Sequence, residues 1–249
     1  MPRDVAEVVL VHPDLLGLYG DRGNALALGR RAAGHELHTR IVEVPAGQPV
    51  PEYGDLYLIG GGEDASMLLS HQLLRADRGL RRALAAGAPC LAVCAGLQML
   101  SEEFVGPDGV ARPGLGVLDA RCPRLPGDRA VGEVVTRGVG PLQGRLTGFE
   151  NHQGGAVLGA DAQPLGLVEV GVGNGHDRTE GAVQGHVVAT YLHGPVLVRN
   201  PELTDHLLEM ATGRELRDLE DAPVARLRRE RLRAADSHGL VRRWWHHVG

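Results

Sequence analysis

The chain has 249 residues, enough for one large α/β domain or two small ones with a proper core. Its 43% hydrophobic and 23% charged content is ordinary for a globular protein, and a net charge of −5 argues against a general nucleic-acid binder. All 26 basic residues are arginine, so a lysine-bearing phosphate loop and lysine Schiff-base chemistry are both excluded.

The three cysteines, Cys90, Cys94 and Cys122, form neither a disulfide framework nor a C-x-x-C metal pair. The opening residues Met1-Pro2-Arg3-Asp4 lead into a strand pattern and lack the apolar core of a signal peptide. No apolar run approaches ~18 residues, so no membrane span is expected. A reducing cytoplasm is the expected home.

Residues 5–12 read as a strand that is apolar on both faces, as inside a parallel sheet. The loop after it carries Gly20-Asp21-Arg22-Gly23-Asn24, which lacks G-x-G-x-x-G spacing. Asp21 or Asn24 is expected to cap the helix over residues 25–33. Residues 38–44 and 53–59 are further strands, separated by a Pro/Gly-punctuated loop. The second of them ends in Gly60-Gly61-Gly62-Glu63-Asp64. Glycines at the C-terminal end of a parallel strand lie on the ligand-binding rim of an open α/β sheet. A flexible turn and an oxyanion-binding loop are the two readings there. A helix over residues 67–87, broken near Gly79, should follow.

Residues 90–93 are a short apolar strand, and Cys94-Ala95-Gly96 then turns sharply into a helix through Leu97, Met99 and Leu100. Small residues at Ala92 and Gly96 suit a tight strand-to-helix elbow. A thiol beside a helix N-terminus is expected to favour the thiolate. A buried structural cysteine is the alternative.

From residue 102 short strands dominate, over residues 130–136, 145–149, 156–158 and 165–172, with a polar cluster Gly148-Phe149-Glu150-Asn151-His152 after one of them. This suggests antiparallel structure added to the sheet. A last strand, residues 187–192, ends at His193-Gly194-Pro195. That histidine is either a surface turn residue or the base for a rim cysteine. A closing helix begins at Pro201. One domain is expected over residues 1–212, and an arginine-rich helical tail over 213–249, ending in Trp244-Trp245-His246-His247. That tail docks on its own domain, contacts a partner or is disordered.

Cys94-Ala95-Gly96-Leu97-Gln98, Tyr191-Leu192-His193-Gly194-Pro195 and the 60–64 loop together resemble class I glutamine amidotransferases of the cobyric-acid-synthase-like branch. Within that branch, Leu18-Tyr19-Gly20-Asp21-Arg22-Gly23-Asn24, the 148–152 segment, Gly173-Asn174-Gly175 and the run from His193 to Pro201 are similar to the glutaminase subunits of lipid II isoglutaminyl synthases. The resemblance covers about residues 5–212. It implies a flavodoxin-like α/β fold, with a mostly parallel central sheet flanked by helices and with added antiparallel strands. It implies hydrolysis of L-glutamine through a cysteine thioester, with Cys94 as nucleophile and His193 as the proton carrier. Gly61, Gly62 and Ala95 would supply oxyanion amides, and Arg129 and Gln98 would contact the substrate.

The implied partner is a MurT-like ATP-dependent ligase subunit, which would use the ammonia to convert D-glutamate of lipid II to D-isoglutamine. ATP and Mg would belong to that partner, with no cofactor or metal in this chain. The cobyric acid type of synthetase carries its ATP-using domain in the same chain, and 249 residues leave no room for one. A glutaminase serving another amide synthetase, a different hydrolase on the same elbow and a non-catalytic partner-binding subunit are the alternatives.

Two departures bear on mechanism. The usual Cys-Gly-Gly-Tyr-Gln becomes Cys94-Ala95-Gly96-Leu97-Gln98, which keeps the backbone amide. The carboxylate normally two residues after the histidine is replaced by Pro195, so either Glu150 or an acid from the partner would complete a triad.

Overall fold

The computed structural model describes residues 4–17 and 21–245, and side chains as far as residue 236. Leu18, Tyr19 and Gly20 of the first loop motif, and His246 and His247 at the chain's end, lie outside the described residues.

The apolar runs of the first half build the central sheet. β1 (Val5–Val11) leads to α1 (Arg22–Gly34) and β2 (His38–Val44), and β3 (Leu56–Ile59) to α2 (Asp64–Ala76) and α3 (Gly79–Ala85). β4 (Cys90–Val93) turns into α4 (Ala95–Leu100). The expected long helix is thus two, and Asp77 ends the first in an extended conformation while its Oδ1 accepts the Gly79 N–H. β3 and β4 are buried at every position, as strands with helices on both faces must be.

The second half contributes β5 (Glu103–Val105), β6 (Ala111–Pro113), β7 (Ala120–Cys122), β8 (Ala130–Gly138), β9 (Arg145–His152), β10 (Val157–Leu158), β11 (Gly166–Val170), β12 (Thr179–Glu180), β13 (Ala182–Gln184) and β14 (Val187–Thr190). α5 (Val196–Arg199), α6 (Pro201–Thr212) and α7 (Ala222–Trp245) close the chain. Pro201 begins α6, where its missing N–H costs nothing.

The six-stranded sheet runs β13-β14-β4-β3-β1-β2, and only the β13–β14 pair is antiparallel. The fold is α/β with a mostly parallel central sheet flanked by helices, as expected. The antiparallel strands of the second half correct one expectation. Apart from β13, they do not extend the central sheet but form two sheets of four, β10-β7-β5-β6 and β12-β11-β8-β9, antiparallel except for the β5–β7 pair. Most of their strands are short, and β11 alternates in burial, which suits a small layer packed on one side.

Because β14, β4 and β3 are consecutive neighbours, the segments leaving them, beginning at Tyr191, Cys94 and Gly60, emerge on one rim. α7 lies against β8, β9 and β11. Arg228 pairs with Glu202 and with the Arg145 carbonyl, and Arg145 reaches Asp236 at 2.8 Å. Among the described residues no helix is long and apolar enough to cross a membrane.

Candidate active site

Cys94 stands at the top of β4 with φ 51° and ψ −99°. A non-glycine residue in that region costs on the order of 1–3 kcal/mol, which the surrounding packing must offset. The packing does so with small residues: a Cβ on Gly96 would lie 2.8 Å from the Ile59 carbonyl oxygen and 3.2 Å from the Ala92 Cβ. The turn aims the thiol at the rim, and the Cys94 amide itself remains tied to the Thr190 carbonyl at 2.8 Å.

The 60–62 loop needs its glycines for close approach. A Cβ on Gly60 would sit 2.0 Å from the Leu16 carbonyl oxygen. At Gly61 it would sit 2.7 Å from His193 Cε1, 3.4 Å from Asp21 Oδ2 and 3.5 Å from Cys94 Cβ. Gly61 is therefore the common neighbour of Cys94, the His193 imidazole and a buried carboxylate. His193 is held by a backbone bridge to β9, its N–H donating to the Phe149 carbonyl at 2.8 Å and its carbonyl accepting from Phe149 at 3.0 Å.

A cavity of about 140 Å³ opens beside these groups, lined among others by Gly62, Cys94, Ala95, Gln98, Arg129 and His152. Arg129 is fixed there by Asn151, through Nε to Oδ1 at 2.5 Å and Nη2 to the carbonyl at 2.9 Å. Gln98 packs against Gly154, where a Cβ would fall 1.9 Å from its Nε2. Of the residues expected at the site, Cys94, Ala95, Gly62, Gln98 and Arg129 line the cavity, and His193 and Gly61 stand behind it. The Gly61 amide does not point to the cavity but donates to Asp21 Oδ2 at 2.7 Å. A larger apolar groove of about 430 Å³ beside α1, α5 and α6 shares none of these groups.

The expectation of a favoured thiolate does not hold in this conformation. Cys94 is 7% exposed, and burial pushes its thiol up to about 12, with the Asp21 charge adding to the rise. The Arg129 charge and the Ala95 amide act the other way and lose. A six-residue helix with a buried start cannot outweigh that desolvation. Burial lowers His193 to about 4, and the His152 and Arg129 charges push in the same direction. The pair therefore rests as neutral thiol and neutral imidazole. Chemically, a neutral imidazole beside a thiol can take the sulfur's proton as an electrophile arrives.

Glu150 does not reach toward His193. Its carboxylate accepts the Val172 and Gly173 N–H groups at 2.9 and 3.0 Å and lies 3.4 Å from His152 Nε2. The 148–152 segment also sits within β9 rather than after it, so alternation turns Glu150 and His152 inward together. His152 donates from Nδ1 to the Gly154 carbonyl at 2.7 Å and stacks on Tyr191 with ring centroids 4.0 Å apart. His152 and Asp21 were not foreseen as site residues; an E-x-H alternation at a strand end was the available signal for the first.

A cysteine elbow, a strand-end histidine and a glycine loop share one rim of a parallel sheet, and the family to which the chain belongs makes it a glutamine amidotransferase. The chain belongs to the CobB/CobQ-like glutamine amidotransferase domain family, which matches residues 7–201. It is 35% identical over 218 residues to the GatD subunit of lipid II isoglutaminyl synthase (glutamine-hydrolyzing) from Staphylococcus aureus, covering 84% of this chain and 86% of that one. To the GatD subunit of Streptococcus pneumoniae it is 30% identical, over 81% of this chain and 78% of that one. A crystal structure of a glutamine amidotransferase shares the fold, with a TM-score of 0.57 and 22% identity over 82% of this chain and 98% of that one.

Proposed function

We propose that the chain is the glutaminase subunit of a lipid II isoglutaminyl synthase. It hydrolyses L-glutamine at Cys94 and hands the ammonia to a MurT-like ligase, which amidates D-glutamate of lipid II to D-isoglutamine. One observation carries the reading: Cys94 and His193 meet around Gly61 in a chain that matches GatD subunits along most of their length.

Arg129 and Gln98 hold the substrate in the cavity. The Cys94 sulfur attacks the side-chain amide carbon as His193 takes the thiol proton. Amides at Ala95 and in the 60–62 loop stabilise the oxyanion. His193 then gives the proton to the leaving nitrogen, and ammonia departs from a glutamyl thioester. Water attacks the thioester, losing a proton to His193, and the thiol leaves with that proton. Glutamine and water thus become glutamate and ammonia with the enzyme unchanged.

Pro195 offers His193 no carboxylate, and Glu150 is engaged elsewhere. On this reading an acid from the ligase subunit orients the imidazole, as the family resemblance favours. The chain needs no cofactor of its own, since ATP and Mg serve the ligase step. A ligase step that uses ATP supports a cytoplasmic setting for the reaction. The test is glutamate release by the chain with and without the ligase subunit, and by Cys94→Ala and His193→Ala. Release should depend on both residues and rise with the partner; full release by Cys94→Ala sinks the reading.

A further inference from the structure

Asp21 begins α1, yet its carboxylate makes no capping bond to that helix. It is 2% exposed and accepts the Gly61 N–H at 2.7 Å. Asn24, one turn on, donates from Nδ2 toward Asp21 Oδ1 at 3.5 Å and accepts the Leu197 N–H at 3.0 Å. Leu197 lies in the segment that follows His193. Between the two, Gly23 leaves room for Pro195, whose Cγ would stand 2.4 Å from a Cβ there. The start of α1 thus joins the glycine loop to the histidine loop. Gly62 lines the cavity with Cys94 and Ala95, whereas Gly61 does not.

We propose that Asp21 is a positioning residue of the glutaminase centre: it pins the Gly61 amide, which leaves the Gly62 amide to face the cavity and bind the oxyanion together with that of Ala95. The inference rests on the glutaminase reading above and refines its oxyanion hole. Burial pushes the Asp21 carboxyl up to about 7 while the Gly61 N–H pulls the other way, so the carboxylate prevails above that pH, and a backbone amide donates more strongly to that charged acceptor than to a neutral one. The same carboxylate lies close enough to Cys94 to oppose its ionisation. The other groups acting on that sulfur are Asp64 of α2, Arg129 ahead of β8 and the Ala95 amide of α4, and those acting on His193 are His152 and Arg129.

The experiment uses the full chain, with its ligase subunit where that is obtained, and the variants Asp21→Ala, Asp21→Ser and Asp21→Asn, each first checked for cooperative thermal unfolding. Losing the pin should lower kcat on the order of tenfold to a hundredfold in the Ala and Ser variants, with KM within about twofold. Asn keeps a carbonyl oxygen for the Gly61 amide, so it should restore most of kcat. Iodoacetamide labelling of Cys94 at pH 9 should run about threefold faster in all three, the gain for roughly half a pH unit of thiol acidity. Wild-type kcat in all three variants overturns the proposal, as does an Asn variant as slow as Ala, or unchanged labelling. Failure of the glutaminase reading looks different: no glutamate is released by the wild type with its partner, while the labelling comparison still tests where Asp21 acts.

Discussion

Gly61→Ala places a single methyl at the centre of the site. The Gly61 backbone has an ordinary φ, so alanine brings no conformational penalty. Two of the methyl's neighbours, Asp21 Oδ2 at 3.4 Å and Cys94 Cβ at 3.5 Å, are at normal contact, but His193 Cε1 at 2.7 Å is not. The imidazole must retreat by roughly 0.7 Å or more to reach van der Waals separation. Overpacking of this kind costs about 1–3 kcal/mol of stability. For a chain of this size that lowers Tm by several degrees. The catalytic cost is larger in kind, because in the proposed mechanism the displaced group carries the proton in both half-reactions. A misplacement near 1 Å reduces kcat on the order of a hundredfold, or about 2.7 kcal/mol of transition-state stabilisation. Arg129 and Gln98 are untouched, so KM should stay within about twofold. Steady-state glutamate release and a thermal melt on the same preparation read all three quantities. A Gly61→Ala protein with kcat within threefold of wild type would falsify the placement of His193 against this loop.

Gly154→Ala should show the opposite split. Its methyl meets Gln98 Nε2 at 1.9 Å, and the flexible amide must swing within the cavity, raising KM more than it lowers kcat; an unchanged KM removes Gln98 from the substrate contacts. Arg129→Ala should likewise raise KM, and by on the order of tenfold or more if it grips the substrate carboxylate, as a charge-assisted pair does; glutamine titration decides. Glu180→Gln tests burial directly. Burial raises the Glu180 carboxyl to about 7, so in the wild type only the unfolded chain ionises between its ordinary value and 7. Wild-type stability falls as pH rises through that window and is offset by a constant amount above it, up to roughly 3 kcal/mol. The variant should be little changed at pH 5 and more stable than wild type at pH 8, as read by urea midpoints. An equal difference at both pH values defeats the argument.

The rim was legible because its strands are short apolar runs bounded by glycines, and such runs inside an α/β pattern have few other uses. β4 and its turn fall at the expected residues, and the positive φ at Cys94 is what the small neighbours Ala92 and Gly96 anticipated. The chemistry of the rim was less legible. A carboxylate at a helix start looks like a cap in sequence, yet Asp21 is turned toward a loop forty residues away. The expected thiolate failed for a related reason, since a helix terminus is visible in sequence while the depth at which a thiol is buried is not. The second-half strands could be found by pattern, but whether they join the central sheet depends on register with partners far along the chain. Glu150 and His152 needed the extent of β9, because a shift of one residue would have sent both to the other face.

The resting state of the pair bears on how the enzyme is controlled. A Cys94 thiol at about 12 and a His193 imidazole at about 4 make proton transfer between them uphill before substrate arrives. Two features oppose the reaction: burial of both groups, and the Arg129 and His152 charges that act against an imidazolium at His193. Each pH unit by which a carboxylate raises His193 returns about 1.4 kcal/mol to the imidazolium formed during attack, so a rise of two units is worth on the order of a hundredfold in rate. The chain lacks that carboxylate after His193, where Pro195 stands, and Glu150 is committed to the amides of Val172 and Gly173. A ligase subunit that supplies the acid would therefore switch on glutamine hydrolysis only where ammonia can be used. Equal kcat for the isolated chain and for the complex, at saturating glutamine, would mean that His193 already has the help it needs and that the switch does not exist.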